Sequence, residues 1–206
     1  MPSMSLIESL RVLHAVRTDR QVVIPTMGSA REWMTLGSHP LDFIYAPSAM
    51  GHAPGLGLGV ALARPDLQVI VCNGDGCQLM NLGCLVTIAA AAPANYVLIV
   101  FDNGVYEVTG GQATAAVDRP VDFCAIARGC GFASVFEFAD IETWRADVSR
   151  VLAVSGPTFV VLKVAPVPGG AVPKPPAPAK DRARQFAAAL AGQTPMSPIG
   201  WPPLNQ

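Results

Sequence analysis

A lone carboxylate between two glycines is the first feature of this sequence that points to chemistry. Residues 73–84 read NGDGCQLMNLGC, and Asp75 comes just after the apolar run at 68–73. No charged residue follows it until Asp102, and Asn103 comes 28 positions after Asp75. A carboxylate and an amide at the ends of two successive strands are oxygen ligands of the kind that Mg²⁺ prefers.

The glycines around Asp75 predict a phosphate site at the same place. Gly74 and Gly76 allow a ligand to approach the backbone, and the helix predicted to begin near Cys77 directs free N–H groups towards it. A carboxylate repels a phosphate unless a divalent cation lies between them, so the pattern favours a phosphate bound through Mg²⁺. GDG and DNG are each common turns, and only their combination at this spacing is specific.

Strands and helices alternate along the chain. The predicted strands are mostly apolar runs, at 21–26, 42–46, 68–73, 96–102, 134–138 and 158–164. Helical patterns lie before and between them, at 5–17, 29–37, 54–64, 76–91, 122–132 and 140–153. This alternation predicts an α/β fold, a three-layer sandwich with a mainly parallel central sheet. Ligands of such sheets bind beyond the carboxyl ends of the strands, where Asp75 and Asn103 lie.

Length and composition indicate one domain that associates with other chains. We place the domain at 1–165, followed by a Pro/Ala-rich arm at 166–206 with a short helix at 181–190. We expect the arm to wrap a neighbouring subunit or to fray. Charged residues make up only 14% of the 206 residues, which favours an oligomer. The net charge of −1 gives no electrostatic reason to expect nucleic acid or an acidic membrane as a partner.

The cysteines and the apolar stretches predict a cytoplasmic protein with no membrane segment. The five cysteines form no CxxC pair and lie in apolar runs, which is typical of a reducing compartment. The uncharged stretch 76–101 is long enough to span a bilayer, but the residues PAN at 93–95 divide it into two dissimilar halves. The N-terminal residues form a charged amphipathic pattern, unlike a signal peptide.

With these motifs in this order, the sequence resembles the thiamine-diphosphate enzymes. Their diphosphate-binding domain carries GDG, a gap of about this length, and an Asn-Asn or similar pair. The resemblance implies thiamine diphosphate and Mg²⁺ as cofactors, with the metal held by Asp75, Asn103 and the backbone carbonyl of Val105. Asp102 replaces the first Asn of the pair, which leaves the ligand intact but adds a charge beside it.

The resemblance extends upstream of GDG, through SAMGHAPGLGLGVALARPD at 48–66. The matching family segment contains a hydrophobic wedge that keeps the cofactor bent, and Met50 takes that position. Ser48, where the family commonly has Gly, would accept the 4′-amino hydrogen bond through its carbonyl. The alternative for Met50 is ordinary core packing.

Within the family, the resemblance is strongest to the sulfopyruvate and phosphonopyruvate decarboxylases. Their signatures resemble three runs found here in the same order, MGH…LG.ALARP, GDG..LM.LG.L.TI and NG..E..GGQ. In that group PTMGSAREW resembles a diphosphate-anchoring turn, which makes Thr26 and Ser29 candidate hydroxyl ligands. Met27 stands where a Gly is usual. The resemblance covers about residues 20–165.

Two residues beside these motifs are predicted to be catalytic. His52 follows the wedge and could donate a proton or bind a substrate carboxylate, or it could be a structural histidine. Glu107 lies in NGVYEVTGGQ and could reach the substrate, or it could be a solvated loop carboxylate. Tyr106 occupies a position where the relatives often have His.

One component of the family's chemistry has no counterpart in the sequence. In these enzymes a Glu on a separate pyrimidine-binding domain protonates N1′ of the cofactor, and no segment here resembles that domain. The resemblance therefore implies a subunit of a 2-oxoacid decarboxylase of the 3-sulfo- or 3-phosphonopyruvate type. It would work in a hetero-oligomer with a pyrimidine-domain α subunit. The alternatives are a carboligase, an oxoacid oxidoreductase subunit, or a non-catalytic phosphate- or nucleotide-binding module.

Overall fold

The computed structural model describes residues 4–46, 49–118, 121–169 and 174–192. The strands, in chain order, are β1 (Gln21–Pro25), β2 (Gln68–Gly74), β3 (Tyr96–Asp102), β4 (Val105–Tyr106), β5 (Gln112–Ala113), β6 (Ser134–Phe138) and β7 (Thr158–Lys163). The helices are α1 (Leu6–Ala15), α2 (Met27–Trp33), α3 (Ala53–Ala63), α4 (Asp75–Met80), α5 (Cys84–Ala91), α6 (Ala115–Asp118), α7 (Phe123–Cys130), α8 (Ile141–Ala153) and α9 (Ala179–Leu190). No helix in these described ranges is long and apolar enough to cross a membrane.

A parallel sheet in the order β1-β2-β3-β7-β6 forms the middle layer of the molecule. Its strands other than the edge strand β6 are almost entirely buried, because α1, α2 and α8 pack on one face and α3, α5 and α7 pack on the other. This confirms the predicted α/β three-layer sandwich with a mainly parallel sheet. Since β1, β2 and β3 are adjacent and parallel, the residues that follow them meet at one edge of the sheet.

The predicted strand at 42–46 is wrong. The segment makes only isolated parallel bridges beside β1, between Val23 and Asp42 and between Thr26 and Tyr45. Its aromatic and β-branched residues suit an extended backbone, which is what the sequence pattern detects. A regular ladder does not form, and α9 lies against the outer side of the segment instead of a further strand.

Two helix predictions differ from the structure in their boundaries. The helix predicted at 76–91 is two helices, because Asn81 takes a non-helical backbone (φ −146°, ψ 60°) after α4. The Asn81 side chain donates to the Gly51 carbonyl at 3.1 Å, an alternative to helical bonding that Asn readily adopts. The helix predicted at 29–37 begins and ends earlier, as α2. The β4–β5 hairpin and α6 are too short to give a periodic pattern.

The helix of the C-terminal arm folds back onto its own chain. Phe186 of α9 is buried, and its ring centroid lies 5.0 Å from that of Phe43. The Arg182 guanidinium donates to the carbonyls of Ile44 and Ala46, the latter at 2.9 Å. These contacts cover the open edge of the sheet, which would otherwise present unpaired backbone groups. α9 therefore does not fray, and contact of the arm with a neighbouring subunit stays a prediction.

Arg182→Ala should lower the free energy of unfolding by about 1–2 kcal/mol, because the carbonyls of Ile44, Ala46 and Ala177 lose a charged donor. Arg184→Ala, at an exposed position of the same helix, should change it by less than about 0.5 kcal/mol. Urea denaturation followed by circular dichroism measures both values. Equal losses in the two variants would show that α9 contributes only general helix stability.

Candidate functional site

A pocket of about 220 Å³ opens at the carboxyl ends of β1, β2 and β3. It is walled by residues that follow these three strands and by the turn between β3 and β4. Most of the site residues predicted from the sequence line it, namely Thr26, Ser29, Met50, Gly74, Asp75, Gly76, Cys77, Asn103, Val105 and Glu107. The parallel sheet thus brings three separate sequence motifs to one place.

Asp75 begins α4 at the end of β2, and only 1% of its surface is exposed. Burial of the carboxyl, followed by the nearby charge of Asp102, raises its pKa from 3.8 to about 6. The hydroxyl of Thr114 donates to the carboxylate at 3.2 Å, and the backbone of Gly76 and Asn103 also hydrogen-bonds to it. The carboxylate is therefore held in place but costs free energy when it is charged and has no cation.

The additional charge at Asp102 is paired in the fold. Lys163, opposite Asp102 in the β3–β7 register, places its Nζ 2.6 Å from Asp102 Oδ2. The same ammonium lies 3.7 Å from a carboxylate oxygen of Glu137. The departure from the family pattern is thus accompanied by a lysine on the neighbouring strand.

The turn after β3 fixes the two other predicted metal ligands. Asn103 Oδ1 accepts a hydrogen bond from the Val105 N–H at 3.0 Å. The Gly104 carbonyl accepts a hydrogen bond from the Thr114 N–H at 2.8 Å. The next pair along the hairpin, Val105 opposite Ala113, is therefore a non-hydrogen-bonded pair of the antiparallel ladder. The Val105 N–H and carbonyl therefore both face away from β5, on the side of Asn103.

The two glycines beside Asp75 have different roles. A Cβ at Gly74 would meet nothing within 4 Å, so the backbone there borders open space. A Cβ at Gly76 would lie 2.7 Å from the ring of Tyr106, so this glycine makes room for the hairpin. Only Gly74 provides the open backbone that the sequence pattern predicts for both positions.

Thr26 and Ser29, at the start of α2, differ in what their hydroxyl groups already bind. Ser29 Oγ lies 2.8 Å from the Cys72 carbonyl and accepts the Thr26 N–H at 3.0 Å, so it ties α2 to β2. Thr26 Oγ1 is buried with no hydrogen-bond partner in the described ranges. Of the two predicted hydroxyl ligands, Thr26 is therefore the better candidate for a hydrogen bond to a phosphate. Met27 has φ 55°, a left-handed conformation that explains why glycine is usual there.

The predicted wedge lies at the mouth of the pocket. Met50 is 57% exposed and has φ 45°, which does not fit the alternative of ordinary core packing. His52 is exposed just before α3 and does not line the pocket described above. Ser48 lies outside the described residues.

Glu107 is held inside a network of the protein's own groups. Its side chain is 8% exposed and pairs with Arg31, from Oε1 to Nη2 at 2.8 Å. Its Oε2 accepts hydrogen bonds from Asn103 Nδ2 and from the Val167 N–H, each at 3.0 Å. This burial does not fit the alternative of a solvated loop carboxylate.

Sequence reasoning missed the residues that support the site from a distance. Thr114 bonds to Asp75 from the β4–β5 hairpin, Lys163 pairs with Asp102, and Arg31 pairs with Glu107. Thr114 and Lys163 lie outside the motifs, and Arg31 lies inside PTMGSAREW, but each contact joins segments far apart in sequence and depends on how the chain packs.

The family model described as "Thiamine pyrophosphate enzyme, C-terminal TPP binding domain" matches residues 26–162. The chain belongs to this family. The match begins at the turn after β1 and ends in β7, so it contains all three strand ends that form the pocket. The resemblance inferred from the motifs is confirmed.

Curated members of the family support a narrower relationship. Phosphonopyruvate decarboxylase of Streptomyces viridochromogenes is 39% identical over 178 residues, covering 86% of this chain and 44% of that protein. Sulfopyruvate decarboxylase subunit beta of Methanothermobacter thermautotrophicus is 37% identical over 160 residues, covering 78% of this chain and 82% of that subunit. The chain thus spans less than half the length of the first relative and most of the second.

Solved structures of the family share the fold. An enzyme from Mycobacterium smegmatis, described as thiamin diphosphate-dependent, gives a TM-score of 0.67 at 24% identity, over 81% of this chain and 33% of its own. The 4-hydroxybenzoylformate decarboxylase of Rhodococcus jostii gives 0.64 at 19% identity, over 80% and 33%. Thiamine-diphosphate enzymes of other sequence therefore have this sheet.

The oxygen donors fit Mg²⁺ only together with a ligand that carries phosphate. In the part of the chain that the structure describes, no group of three or more His, Cys, Asp or Glu side chains could hold a metal ion. Asp75, Asn103 and the Val105 carbonyl could supply three oxygens of an octahedral shell, and a diphosphate and water the others. Open space at Gly74 and the free hydroxyl of Thr26 could receive that diphosphate.

Asp75→Asn should stabilise the chain at pH 8 in the absence of cofactor and metal. The folded-state pKa of about 6 exceeds the ordinary 3.8, so the wild-type carboxylate loses stability as pH rises from about 4 through 6. The variant should gain at most about 3 kcal/mol at pH 8, and the difference should disappear near pH 4. Urea denaturation at both pH values tests this, and a less stable variant at pH 8 would contradict it.

Proposed function

We propose that this chain is the thiamine-diphosphate- and Mg²⁺-binding subunit of a 2-oxoacid decarboxylase. The observation that carries the proposal is the placing of Asp75, Asn103 and Val105 around the pocket, beside the open backbone of Gly74. The names of the relatives favour a 3-sulfo- or 3-phosphonopyruvate type of substrate. When bound, the cofactor supplies an electron sink for the electron pair that CO₂ leaves behind.

The candidate residues would divide the binding of the cofactor between its two ends. Thr26, the amides around Gly74 and the metal would hold the diphosphate. Met50, at the mouth of the pocket, would shape the cofactor, and Ser48 would accept the bond from its amino group. Of the two predicted catalytic residues, His52 lies with Met50 on the exposed side, from which the 2-oxoacid would enter, whereas Glu107 is bonded to other groups of the protein.

A second polypeptide would complete the active site with a pyrimidine-binding domain and its Glu. The match over 82% of a subunit named beta supports this division. The chain also exposes large apolar side chains on α3, α4 and α5, namely Leu56 (37%), Leu62 (58%), Met80 (47%) and Val86 (57%). A surface of this kind favours a protein partner, and the complex would be a cytoplasmic hetero-oligomer.

Calorimetry with the purified chain tests the cofactor assignment. Thiamine diphosphate should bind only with Mg²⁺ present, and Asp75→Asn should weaken that binding at least tenfold, because it removes the one carboxylate of the metal shell. Adding a pyrimidine-domain subunit should then produce CO₂ from sulfopyruvate or phosphonopyruvate. Equal binding of ADP or inorganic diphosphate without activity would favour the non-catalytic phosphate-binding alternative, and turnover by the isolated chain would contradict the division into subunits.

Met50→Gly should lower turnover of the reconstituted enzyme at least tenfold without lowering the melting temperature. The Met50 side chain is largely exposed, so its loss leaves no cavity in the core. Glycine adopts the left-handed backbone of this position without the strain of about 1 kcal/mol that a residue with a Cβ carries there. Met50→Leu keeps an apolar wedge and should retain most of the turnover. Thermal unfolding and steady-state kinetics give the two readouts. Normal turnover in Met50→Gly would exclude a wedge at this position.

A further inference from the structure

The Glu107 carboxylate joins three segments of the chain that are distant in sequence. One oxygen pairs with Arg31 of α2 at 2.8 Å. The other accepts from Asn103 Nδ2, in the turn after β3, and from the Val167 N–H, beyond the end of β7. Gly28 leaves room for the carboxylate, because a Cβ at Gly28 would lie 3.3 Å from Glu107 Oε1. Both oxygens are thus already occupied by donors of the protein.

These contacts determine which way the Asn103 amide points. A carboxylate paired with arginine only accepts hydrogen bonds, so the end of Asn103 that faces Glu107 must be its NH₂ group. The Val105 N–H only donates, so the other end must be the oxygen. That oxygen has two lone pairs and uses one for Val105, which leaves the second for another partner.

We infer that Glu107 is a positioning residue that sets the Asn103 amide with its oxygen towards the metal, and that it does not exchange protons with the substrate. The inference rests on the proposed function, in which Asn103 is a ligand of Mg²⁺. An Asn free to rotate would present its NH₂ group to the cation in half of its orientations. Arg31 and Val167 hold Glu107 in place, so the orientation of the ligand depends on α2 and on the segment after β7.

Glu107→Gln tests this with an isosteric change. In the wild type, both carboxylate oxygens of Glu107 accept hydrogen bonds, whereas the Gln side chain has only one acceptor oxygen. If its oxygen faces Arg31, its NH₂ group faces Asn103 Nδ2, and the Asn103 amide must turn its oxygen away from the metal. Affinity for Mg²⁺ at saturating thiamine diphosphate should then fall by about tenfold to a hundredfold, as is usual when the residue that orients a metal ligand is changed. Titration calorimetry measures this without reference to turnover.

Glu32→Gln is the matched control. Glu32 also pairs with Arg31, at 2.8 Å, but its carboxylate does not take part in the bonds of Asn103 described above. The affinity of the Glu32→Gln variant for Mg²⁺ should stay within about twofold of the wild type, since the hydrogen bonds that orient the Asn103 amide do not change. An equal loss in both variants would mean that the charge of Arg31, and not the Asn103 amide, is responsible, and would overturn the inference.

The remaining outcomes separate this inference from the proposed function. If Glu107→Gln binds Mg²⁺ normally and loses only turnover, Glu107 is catalytic and the inference is wrong. If the wild-type chain itself binds no Mg²⁺ with thiamine diphosphate, the proposed function fails. Should the variant not fold, NMR of the wild type still decides: the Asn103 side-chain NH₂ protons should exchange at least tenfold more slowly than those of an exposed amide. Fast exchange of these protons would contradict the inference.

Discussion

Burial of the Asp75 carboxylate at the end of β2 is the constraint on which the rest of the site depends. The carboxyl loses its hydration and lies near a second acid, Asp102, so its pKa rises to about 6. The fold limits this cost with hydrogen bonds from Thr114 and the backbone, and by pairing Asp102 with Lys163. The ionised Asp75 carboxylate nevertheless stays unfavourable in the fold, and a divalent cation bound to it would remove that free-energy cost. The same burial that weakens the empty chain therefore favours the metal-bound one.

The other candidate oxygen donors are held in place by hydrogen bonds within the protein. Asn103 bonds to the backbone of Val105 on one side and to Glu107 on the other. Glu107 is in turn fixed by Arg31 and by the backbone after β7. A ligand atom held at both ends loses little conformational freedom on binding a metal, so less free energy is spent on ordering the site. The opposite side of the pocket, around Met50, is exposed.

The sequence by itself determined the fold class and the centre of the site. Apolar strands alternating with helices were sufficient for the parallel three-layer sandwich, and β3 and β6 lie where the pattern placed them. GDG and DNG were sufficient to bring Asp75 and Asn103 to neighbouring strand ends, because parallel strands expose their carboxyl ends at one edge. These conclusions depend on local properties, namely side-chain periodicity and turn chemistry. Periodicity and turn chemistry involve residues close together in the sequence, so a single sequence is enough to detect them.

Only the tertiary structure decided which polar groups are free and which are already bonded. In the fold, the Ser29 hydroxyl bonds to the Cys72 carbonyl of β2, and the Thr26 hydroxyl has no partner in the described ranges. The sequence alone offers no reason to distinguish the two hydroxyls. The tertiary structure also buried Glu107 against Arg31, a residue 76 positions away. Such pairs depend on strand register and on how helices lie across the sheet, and both result from packing of the whole core. The same reason explains the segment 42–46, whose extended pattern is a local property but whose pairing with β1 is limited to isolated bridges.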